Sequence, residues 1–553
     1  MSTPPPQGCY HSGSQPPRPG AQALADALSD LDQPFAVVAT PEGPAAAIGG
    51  EARLGGSPSA GSLPLLAWVP ALTPPELGDP SFLGDYGVTV PYVVGAMANG
   101  IASVDTVVAA AECGAIGFFG AAGLSTPRID AAVTELSQRL GALPWGANLI
   151  HSPHEPVQEQ ETVDLFLAKG VRAASASAYM RLTPPVVHYR YAGVREEAGR
   201  VVPRQRLLAK ISRPEVAKHF LAPAPASILQ GLVDAGRLTA EEAQLAARLP
   251  MADDLTAEAD SGGHTDNRPL TVLLPIIQQQ AAEAARHTGV TVRVGAAGGL
   301  GTPDALAAAF ELGAAYVLTG TVNQACVEAG TSDMVRELLA TAGMADVGMA
   351  PASDMFEGGV EVQVLKRGTL FAMRGHQLYE LYKAHDSLAS LPPAVADRLQ
   401  AKTFRRPFAE VWADCEAFFA ERDPAQLTRA AADPKHKMAL VFRWYLGMSS
   451  RWAIAGDADR KSDAQIWCGP CIGSFNAWTA GTFLADPAQR RIGVVAANLL
   501  AGAALTRRAR ILEAQGVALP PGLLPTRPRP VRAASSVASS RPARAAALGV
   551  SLA

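Results

Sequence analysis

Residues 292–321 read VRVGAAGGLGTPDALAAAFELGAAYVLTGT, which is a short apolar run, a glycine-rich turn, a helical stretch and a second apolar run. Thr302 is a favourable N-cap, and Pro303 suits the first position of a helix. Gly313 ends the helical stretch, because glycine readily adopts the left-handed conformation found after helix ends. The segment therefore predicts a strand–helix–strand unit of a parallel sheet.

The same alternation of apolar runs and helical stretches recurs along most of the chain. Strands are predicted at residues 90–97, 115–120, 145–150, 171–177, 206–212, 252–259, 292–297 and 315–320. Helices are predicted at Val104–Cys113, Pro127–Leu140, Pro156–Lys169, Leu270–Thr288 and Thr302–Leu312. Eight strands that are mostly separated by helices predict an α/β fold, the closed parallel (β/α)8 TIM barrel.

Smaller parts are predicted to flank and interrupt the barrel. We expect disorder at 1–20, a small N-terminal unit at 21–85, the barrel at 86–375, a mainly helical part at 376–513 and a disordered basic tail at 514–553. A helical insertion at 213–250 follows the fifth strand, and Thr239 with Glu242 forms a capping box within it. We expect this insertion to cover the barrel mouth as a lid.

Composition excludes several classes of protein. The formal net charge of −4 over 553 residues gives no electrostatic case for a nucleic-acid partner. Six scattered cysteines fit a reducing cytoplasm better than a disulfide framework. The proline-rich N-terminus does not resemble a signal peptide, and no apolar run is long enough to span a bilayer. The sequence therefore predicts a soluble cytoplasmic protein without a membrane partner.

Glycines after the seventh and eighth strands indicate an anion site. In this fold active sites lie in the loops at the carboxyl ends of the strands, and phosphate is commonly bound after strands seven and eight. The candidate residues there are Gly298, Gly299, Gly301, Gly320 and Thr321. Backbone N–H groups without a neighbouring Cβ approach an anion closely. The alternative is that these glycines only make tight turns.

The other strand ends carry small and amide side chains suited to a flat ring. These residues are Ala96, Met97, Ala98, Asn99, Asn148, Ser175 and Ser177. Lys210, at the end of the fifth strand, is a candidate cation for an anionic ring or a phosphate, with a solvated lysine as the alternative. His264 follows two glycines after the sixth strand and is predicted to donate a proton or bind an oxyanion. A surface histidine without a role is its alternative.

Residues 467–471, WCGPC, match the active-site sequence of thioredoxins. Such a site needs a strand that runs into the first cysteine, and the preceding stretch AGDADRKSDAQI is polar. A metal site would need two more soft ligands nearby. We therefore expect neither dithiol chemistry nor a bound metal.

Several ordered motifs carry a family resemblance. GAMANGIAS (95–103), GANLIHSP (146–153), AEADSGGHTDN (257–267) and residues 295–321 resemble the FMN-binding barrels of nitronate monooxygenases and flavin-dependent enoyl-acyl carrier protein reductases. With KISRPEVAKHFLAPAP (210–225) and GPCIGSFNAW (469–478), the chain is similar to PfaD-type trans-acting enoyl reductases. Those enzymes serve polyunsaturated fatty acid synthases and modular polyketide synthases.

The resemblance implies bound FMN, NADPH as reductant, and an enoyl thioester on acyl carrier protein as substrate. It places FMN contacts at Ala96, Met97, Asn148, Ser177, Lys210, Gly298, Gly299, Gly320 and Thr321. His264 matches the family's GGH histidine and is the predicted proton donor or thioester-oxygen partner, with water as an alternative donor. Carrier proteins are acidic, so the basic segments 404–408 and 435–437 are docking candidates. A homodimer is a further expectation.

Two other functions remain open from the sequence. The first is an oxygen-using flavoenzyme of the nitronate monooxygenase type, which would keep the same barrel and His264. The second is a barrel without cofactor that only scaffolds a synthase.

Overall fold

The computed structural model describes residues 5–55, 60–151, 156–263, 266–524 and 526–530. Contacts along the chain divide it into two compact units. One unit consists of Met1–Leu77, Pro303–Glu311 and Val494–Ala553, and the other of Gly78–Thr302 and Leu312–Gly493.

The unit that contains the N-terminus is built on a six-stranded antiparallel sheet. Its strands are β1 (Gly8–His11), β2 (Arg18–Pro19), β3 (Phe35–Thr40), β4 (Gly43–Ala47), β5 (Glu51–Leu54) and β6 (Leu63–Val69), in the order β2-β4-β3-β6-β1-β5. Phe35 and Val37 of β3 pack in one apolar cluster, and Ala36 and Val38 pack in another. This alternation is the two-residue period of a strand, so both faces of the sheet are covered. Helix α1 (Ala21–Ser29) contributes to the first cluster.

Both predictions of disorder need correction. Strand β1 lies within residues 1–20, pairs with β5 and β6, and buries Tyr10. In the predicted basic tail, Val517 joins an apolar cluster, and the N–H of Arg529 donates to Asn498 Oδ1 at 2.7 Å. Residue 525 and residues 531–553 lie outside the described part of the chain. Prolines and arginines suggested disorder, but short segments between them pair with ordered neighbours.

All eight predicted barrel strands are confirmed, and every pair of neighbours is parallel. Strands β7 (Tyr92–Val94), β8 (Ile116–Phe119), β9 (Gly146–Ile150) and β10 (Ala173–Ser177) form the first half. The hairpin β11 (Arg195–Glu197) and β12 (Arg200–Val202) follows. The barrel closes through β13 (Arg206–Ile211), β14 (Asp254–Glu258), β15 (Arg293–Ala297) and β16 (Val317–Thr319).

Helix α2 (Pro80–Tyr86) closes the amino end of the barrel. Phe82 and Tyr86 lie in the barrel core, and the Tyr86 hydroxyl donates to Asp254 Oδ2 at 2.8 Å, at the start of β14. The predicted boundary at residues 85 and 86 therefore falls inside an element of the barrel unit. The N-terminal unit ends earlier, at Leu77.

The helices that follow along the chain are mostly short. They are α3 (Val104–Glu112), α4 (Thr126–Leu140), α5 (Pro156–Lys169), α6 (Pro184–Tyr191), α7 (Pro214–Leu221), α8 (Ala226–Asp234), α9 (Ala240–Ala246), α10 (Leu270–Thr288), α11 (Pro303–Glu311), α12 (Thr321–Gln324) and α13 (Asp333–Ala340). The five helices predicted from sequence are present, with ends within one residue of the prediction.

The insertion after the fifth strand is helical, as predicted, but it does not lie where we expected. Helices α8 and α9 pack against α6. The Tyr191 hydroxyl donates to the Leu249 carbonyl at 2.7 Å, and Arg190 pairs with Asp253, just before β14, at 2.6 Å. The insertion therefore joins the outer helical layer and ends near the amino end of β14. It is not a lid over the mouth.

The C-terminal part of the barrel unit begins with a hairpin and is otherwise helical. The hairpin is β17 (Val347–Pro351) and β18 (Glu361–Leu365). The helices are α14 (Phe371–Ala384), α15 (Pro393–Arg398), a π-helix (Leu399–Phe404), α16 (Phe408–Arg422), α17 (Pro424–Ala432), α18 (Pro434–Ala455) and α19 (Cys471–Thr479). Short 3-10 helices occur at Met344–Asp346, Phe356–Gly358, Leu388–Ser390, Ala458–Asp463, Phe483–Ala485 and Pro487–Gln489. The 3-10 helix Pro74–Glu76 and, from Val494 onward, helix α20 (Ile492–Ala514) belong to the unit that contains the N-terminus.

One apolar core joins this hairpin to the helices. Ala350 and Val362 of the hairpin pack with Phe442 and Tyr445 of α18. The predicted boundary at residues 375 and 376 falls within α14, so the helical part starts earlier than its helix-rich sequence suggested. Among the described helices, none combines the length and apolarity needed to cross a membrane.

Candidate active site

In a closed parallel barrel the carboxyl ends of all strands form one rim, where active sites of this fold are built. Asn148 of β9 pairs with Ser175 of β10, and Lys210 of β13 pairs with Thr256 of β14. The other predicted residues lie in or directly after β7, β10, β15 and β16: Ala96, Met97, Asn99, Ser177, Gly298, Gly299, Gly301, Gly320 and Thr321. The structure thus brings the described candidates to the same rim.

Asn148 and the two serines of β10 form a buried polar group. The Asn148 amide donates to the Ser175 carbonyl at 2.9 Å and to Ser177 Oγ at 3.1 Å. The hydroxyl of Ser175 is buried and has no hydrogen-bond partner among the described residues. A buried hydroxyl without a partner costs about 1–3 kcal/mol. A ligand that supplies the missing bond would recover that free energy.

Lys210 is not the free cation that the sequence suggested. Its Nζ lies 2.6 Å from Glu258 Oε1, and both side chains are only 15% exposed. Glu258 was not predicted as a site residue. Glu258 is two residues beyond Thr256, the register partner of Lys210, and so lies on the same face of the neighbouring strand. That register is known only from the structure. The lysine is held in a defined position by a neighbouring carboxylate.

The glycines after β15 and β16 divide into two kinds. Gly298 has φ +90°, and a Cβ there would lie 2.6 Å from the carbonyl carbon of Ala259. At Gly299 and Gly320 a Cβ would meet no atom within 4 Å. Gly298 is therefore required by packing, whereas Gly299 and Gly320 expose backbone to open space. The helix after Gly320 has only four residues, so it adds little of the dipole that we expected.

Residues 467–474, which we call the WCGPC segment, pack against the loops that follow β14, β15 and β16. A Cβ on Gly301 would lie 2.4 Å from the Cys471 carbonyl oxygen, and Gly469 N–H donates to Thr321 Oγ1 at 3.1 Å. A Cβ on Gly262 would lie 2.8 Å from Cys468 Cα. Gly301 and the Thr321 hydroxyl therefore contact protein, which corrects the expectation that both face a ligand.

The two cysteines of this segment are not arranged for dithiol chemistry. Both are free, Cys468 is buried and Cys471 is partly buried. Burial raises the pKa of Cys471 to about 11 and raises that of Cys468 as well. Because the thiolate is the reactive form, we expect these thiols to react slowly near neutral pH.

The loop after β14 is anchored on both sides of the predicted histidine. Gly263 forms a bridge with Gln363 of β18, whose amide donates to Asp260 Oδ1 at 3.0 Å. On the other side, Arg213 forms a bidentate pair with Asp266 at 2.6 and 2.8 Å, which lowers the pKa of that carboxyl. His264 lies outside the described residues, so its role remains a prediction.

The first two barrel loops pack on each other. The carbonyl oxygen of Met97 lies so close to Gly120 that a Cβ built on Gly120 would be only 1.8 Å from that oxygen. Asn99 has φ +58°, and its N–H donates to the Ala122 carbonyl at 2.7 Å. Its side-chain amide lies against Gly123. Asn99 therefore stabilises the contact between these loops.

Some cations of the two segments predicted to dock a carrier protein have acidic partners within the chain. Arg406 pairs with Asp414 at 2.6 Å, and Lys435 pairs with Asp386 at 3.2 Å. His436 is buried and lies 2.8 Å from a glutamine side chain. The docking of a carrier protein at either segment remains a prediction.

Comparisons with known proteins agree with this architecture. The family profile for nitronate monooxygenase matches residues 81–378, which is more than half of the chain. The profile for the inserted helical domain of acyl-carrier-protein S-malonyltransferase matches residues 385–464. The solved enoyl reductase domain of MlnA, from the macrolactin biosynthesis cluster of Bacillus amyloliquefaciens, is 36% identical with a TM-score of 0.75. That match covers 80% of this chain and 99% of the MlnA domain.

Two similar curated proteins are named for polyunsaturated fatty acid or polyketide synthesis. One, a component of the polyunsaturated fatty acid synthase of Thraustochytrium, is 49% identical over 79% of this chain and 30% of its own length. The other, polyketide biosynthesis protein PksE of Bacillus subtilis, is 41% identical over 80% of this chain and 58% of its own length. The chain thus spans less than two thirds of either relative. It belongs to the nitronate monooxygenase family, in the branch of the PfaD-type enoyl reductases.

Proposed function

We propose that this chain is an FMN-dependent enoyl reductase that uses NADPH to reduce the α,β double bond of enoyl thioesters carried by acyl carrier protein. The observation that carries the proposal is the open backbone at Gly299 and Gly320, on the same rim as the Ser175 hydroxyl, which has no hydrogen-bond partner in the described part of the chain. The enoyl reductase domain of MlnA, which matches over 80% of the chain, supports this chemistry over others of the barrel fold.

The rim fits a flavin mononucleotide. A phosphate accepts hydrogen bonds from backbone N–H groups that no Cβ shields, which is what Gly299 and Gly320 offer. Asn148 and Ser177 lie on the strands opposite those glycines and provide amide and hydroxyl groups for the ring. Ser175 supplies a donor or acceptor that nothing in the described chain uses.

When bound, FMN supplies the two-electron carrier that takes hydride from NADPH and gives it to the β-carbon of the enoyl thioester. The ammonium of Lys210 has three N–H donors, so its contact with Glu258 leaves donors for the ring. Negative charge develops on the thioester oxygen during hydride addition, and a positioned donor there lowers the barrier by a few kcal/mol. His264 remains the residue predicted for that donor.

The proposed partners follow from the relatives. Both curated proteins named above are components of polyketide or polyunsaturated fatty acid synthesis, which supports a carrier-bound substrate and synthase modules as partners. We propose that the chain acts in trans on those modules. Homodimer formation remains a prediction from the sequence.

The test separates this function from its two rivals. Purified protein is reconstituted with FMN, its flavin is reduced anaerobically by NADPH, and its absorbance near 450 nm is followed after mixing with a second substrate. We expect reoxidation by a crotonyl thioester on carrier protein, and no reduction of the oxidised flavin by a nitronate in place of NADPH. Reduction of the oxidised flavin by a nitronate, followed by turnover with oxygen as the oxidant, would instead establish a nitronate monooxygenase. Protein that neither retains nor takes up FMN would establish a scaffold.

A further inference from the structure

A second polar cluster lies on the rim beside the predicted cofactor residues. His151 directly follows β9, and Tyr179 comes two residues after β10. The backbone N–H of His151 donates to the Ser177 carbonyl at 3.1 Å. His151 therefore lies at the carboxyl end of the strands, three residues beyond Asn148. It is part of the motif GANLIHSP, but no role was predicted for it from the sequence.

Glu159 of α5 holds this cluster together. Its Oε2 lies 2.9 Å from His151 Nδ1, and its Oε1 accepts hydrogen bonds from the hydroxyls of Tyr179, at 2.9 Å, and Thr183. Only 2% of the Glu159 side chain is exposed, so its oxygens depend on these partners. Burial and the charge of Glu159 raise the pKa of Tyr179 well above its usual value, which keeps the tyrosine hydroxyl a donor.

This carboxyl group sets the orientation of the His151 ring. Because two hydroxyls already donate to Oε1, Oε2 is the acceptor for an N–H at Nδ1, and that bond selects the tautomer. The ring also stacks on Tyr179 at a centroid distance of 5.5 Å. Nε2 has no hydrogen-bond partner in the described parts of the chain, and 14% of the His151 side chain is exposed. The pair thus presents Nε2 of a fixed imidazole.

Another buried histidine of the barrel unit shows that this arrangement is not a general one. The Nδ1 of His188 lies 3.9 Å from Asp164 Oδ1, which is beyond hydrogen-bonding distance. Asp164 is 47% exposed and accepts from Arg237 at 2.8 Å instead. His188 therefore lacks the close contact with a buried carboxyl group that His151 makes.

We propose that His151 is the catalytic residue that protonates the α-carbon of the substrate, with Glu159 as its positioning residue. This inference rests on the proposed enoyl reductase function. Hydride addition forms a C–H bond at the β-carbon and moves the π electron pair toward the α-carbon and the thioester oxygen. The Nε2–H bond of protonated His151 then breaks, its electron pair stays on nitrogen, and the proton forms the second new C–H bond. Solvent reprotonates the imidazole. Hydrogen-bond donation to the thioester oxygen remains the predicted role of His264.

The experiment uses the full chain with His151→Asn, Glu159→Gln and the matched control His188→Asn. An asparagine amide replaces Nδ1 and keeps the bond to Glu159, but it has no counterpart of Nε2. We expect unchanged FMN affinity and unchanged flavin reduction by NADPH in His151→Asn. Reoxidation by the enoyl thioester should slow by about 100- to 10,000-fold, the usual contribution of a general acid. In D2O the parent should label the α-carbon on one face, and residual product from His151→Asn should lose that preference.

A second measurement does not depend on bound flavin. Nitrogen-15 NMR of histidine-labelled apoprotein should show His151 with its proton on Nδ1 when neutral, and Glu159→Gln should abolish that preference. If His151→Asn does not fold, both the reoxidation assay and the NMR measurement are made on Glu159→Gln. The inference would be overturned if the parent is active and the flavin of His151→Asn is reoxidised as fast as that of His188→Asn. A neutral His151 with its proton on Nε2 in the NMR measurement would overturn it as well. A parent that is not reoxidised by the thioester would instead show that the proposed function has failed.

Discussion

Two halves of the barrel rim are built on different principles. After β15 and β16 the rim presents backbone groups that no side chain shields. At Gly320, for example, no atom lies within 4 Å of the Cβ position. From β9 to β14 it offers side chains that are already paired, Lys210 with Glu258 and His151 with Glu159. The first half suits a ligand that brings its own acceptors, such as a phosphate. The second half holds charges and protons in fixed positions before any ligand arrives.

The largest effect should come from breaking a pair in the second half. Lys210→Met leaves Glu258 at 15% exposure without its counter-charge, which should lower the free energy of unfolding by about 3–5 kcal/mol. Urea unfolding followed by tryptophan fluorescence measures the change. Arg139→Met is the matched control, because the pair of Arg139 with Asp105 is 39% and 66% exposed and should contribute less than about 1 kcal/mol.

A double variant sharpens this test. Lys210→Met with Glu258→Leu removes both charges, so most of the lost stability should return. Equal destabilisation by Lys210→Met and Arg139→Met would show that the rim pair behaves as a surface pair.

The next effect tests the glycine half. Gly320→Val places a side chain in space where the protein has no atom, so folding should be unaffected while the cofactor is displaced. We expect FMN affinity to fall by roughly 30- to 100-fold, equivalent to about 2–3 kcal/mol of steric cost. Quenching of flavin fluorescence measures the affinity. Gly231→Val in α8, where a Cβ also meets no atom within 4 Å, should bind FMN like the parent.

The two halves also differ in how far the sequence predicted them. The apolar runs and the glycine turn around residues 292–321 depend on local backbone preferences, so the eight strands and the location of the rim were predicted correctly. The partners Glu258 and Glu159 were not predicted, although Glu159 is only eight residues from His151. Their proximity to Lys210 and His151 is set by strand register and helix packing, which local patterns do not encode.

The same reason explains the errors around the barrel. Gly301 and Gly320 look alike in sequence, yet one contacts the WCGPC segment and the other faces open space. The insertion had the capping box that we predicted, but its packing on α6 depends on tertiary contacts. Long-range contacts also order Gly8–His11, which pairs with β5 and β6.

A smaller effect on the free energy of unfolding should distinguish Gly301 from Gly320. Gly301→Ala puts a Cβ 2.4 Å from the Cys471 carbonyl oxygen and 2.9 Å from Ser474 Oγ, so the segment must shift. We expect a loss of about 1–3 kcal/mol in the free energy of unfolding, measured by urea titration. Gly320→Ala should leave stability unchanged within about 0.5 kcal/mol. Comparable destabilisation by both would contradict the division of the glycines into packing and ligand-facing positions.

The smallest effect concerns the thiols of the WCGPC segment, which in thioredoxins would be the reactive part of the molecule. Burial raises the pKa of Cys471 from 9.0 to about 11, so its thiolate fraction near neutral pH falls by roughly 100-fold relative to an exposed cysteine. Alkylation by iodoacetamide, followed by peptide mass spectrometry, should therefore be slow at pH 7 and accelerate about tenfold per pH unit up to about 11. Urea-unfolded protein, in which the burial is lost, should react rapidly at the same site.

That pH dependence has a consequence for stability as well. The folded-state pKa of Cys471 lies above its ordinary value, so folding favours the protonated thiol. Its contribution is complete below pH 9 and should be lost as the pH rises toward 11. Fast alkylation of the folded chain at pH 7 would indicate a reactive thiolate, and the segment would then have a redox function. Slow alkylation would instead indicate that the segment packs against Gly301 and Thr321 and takes no part in electron transfer.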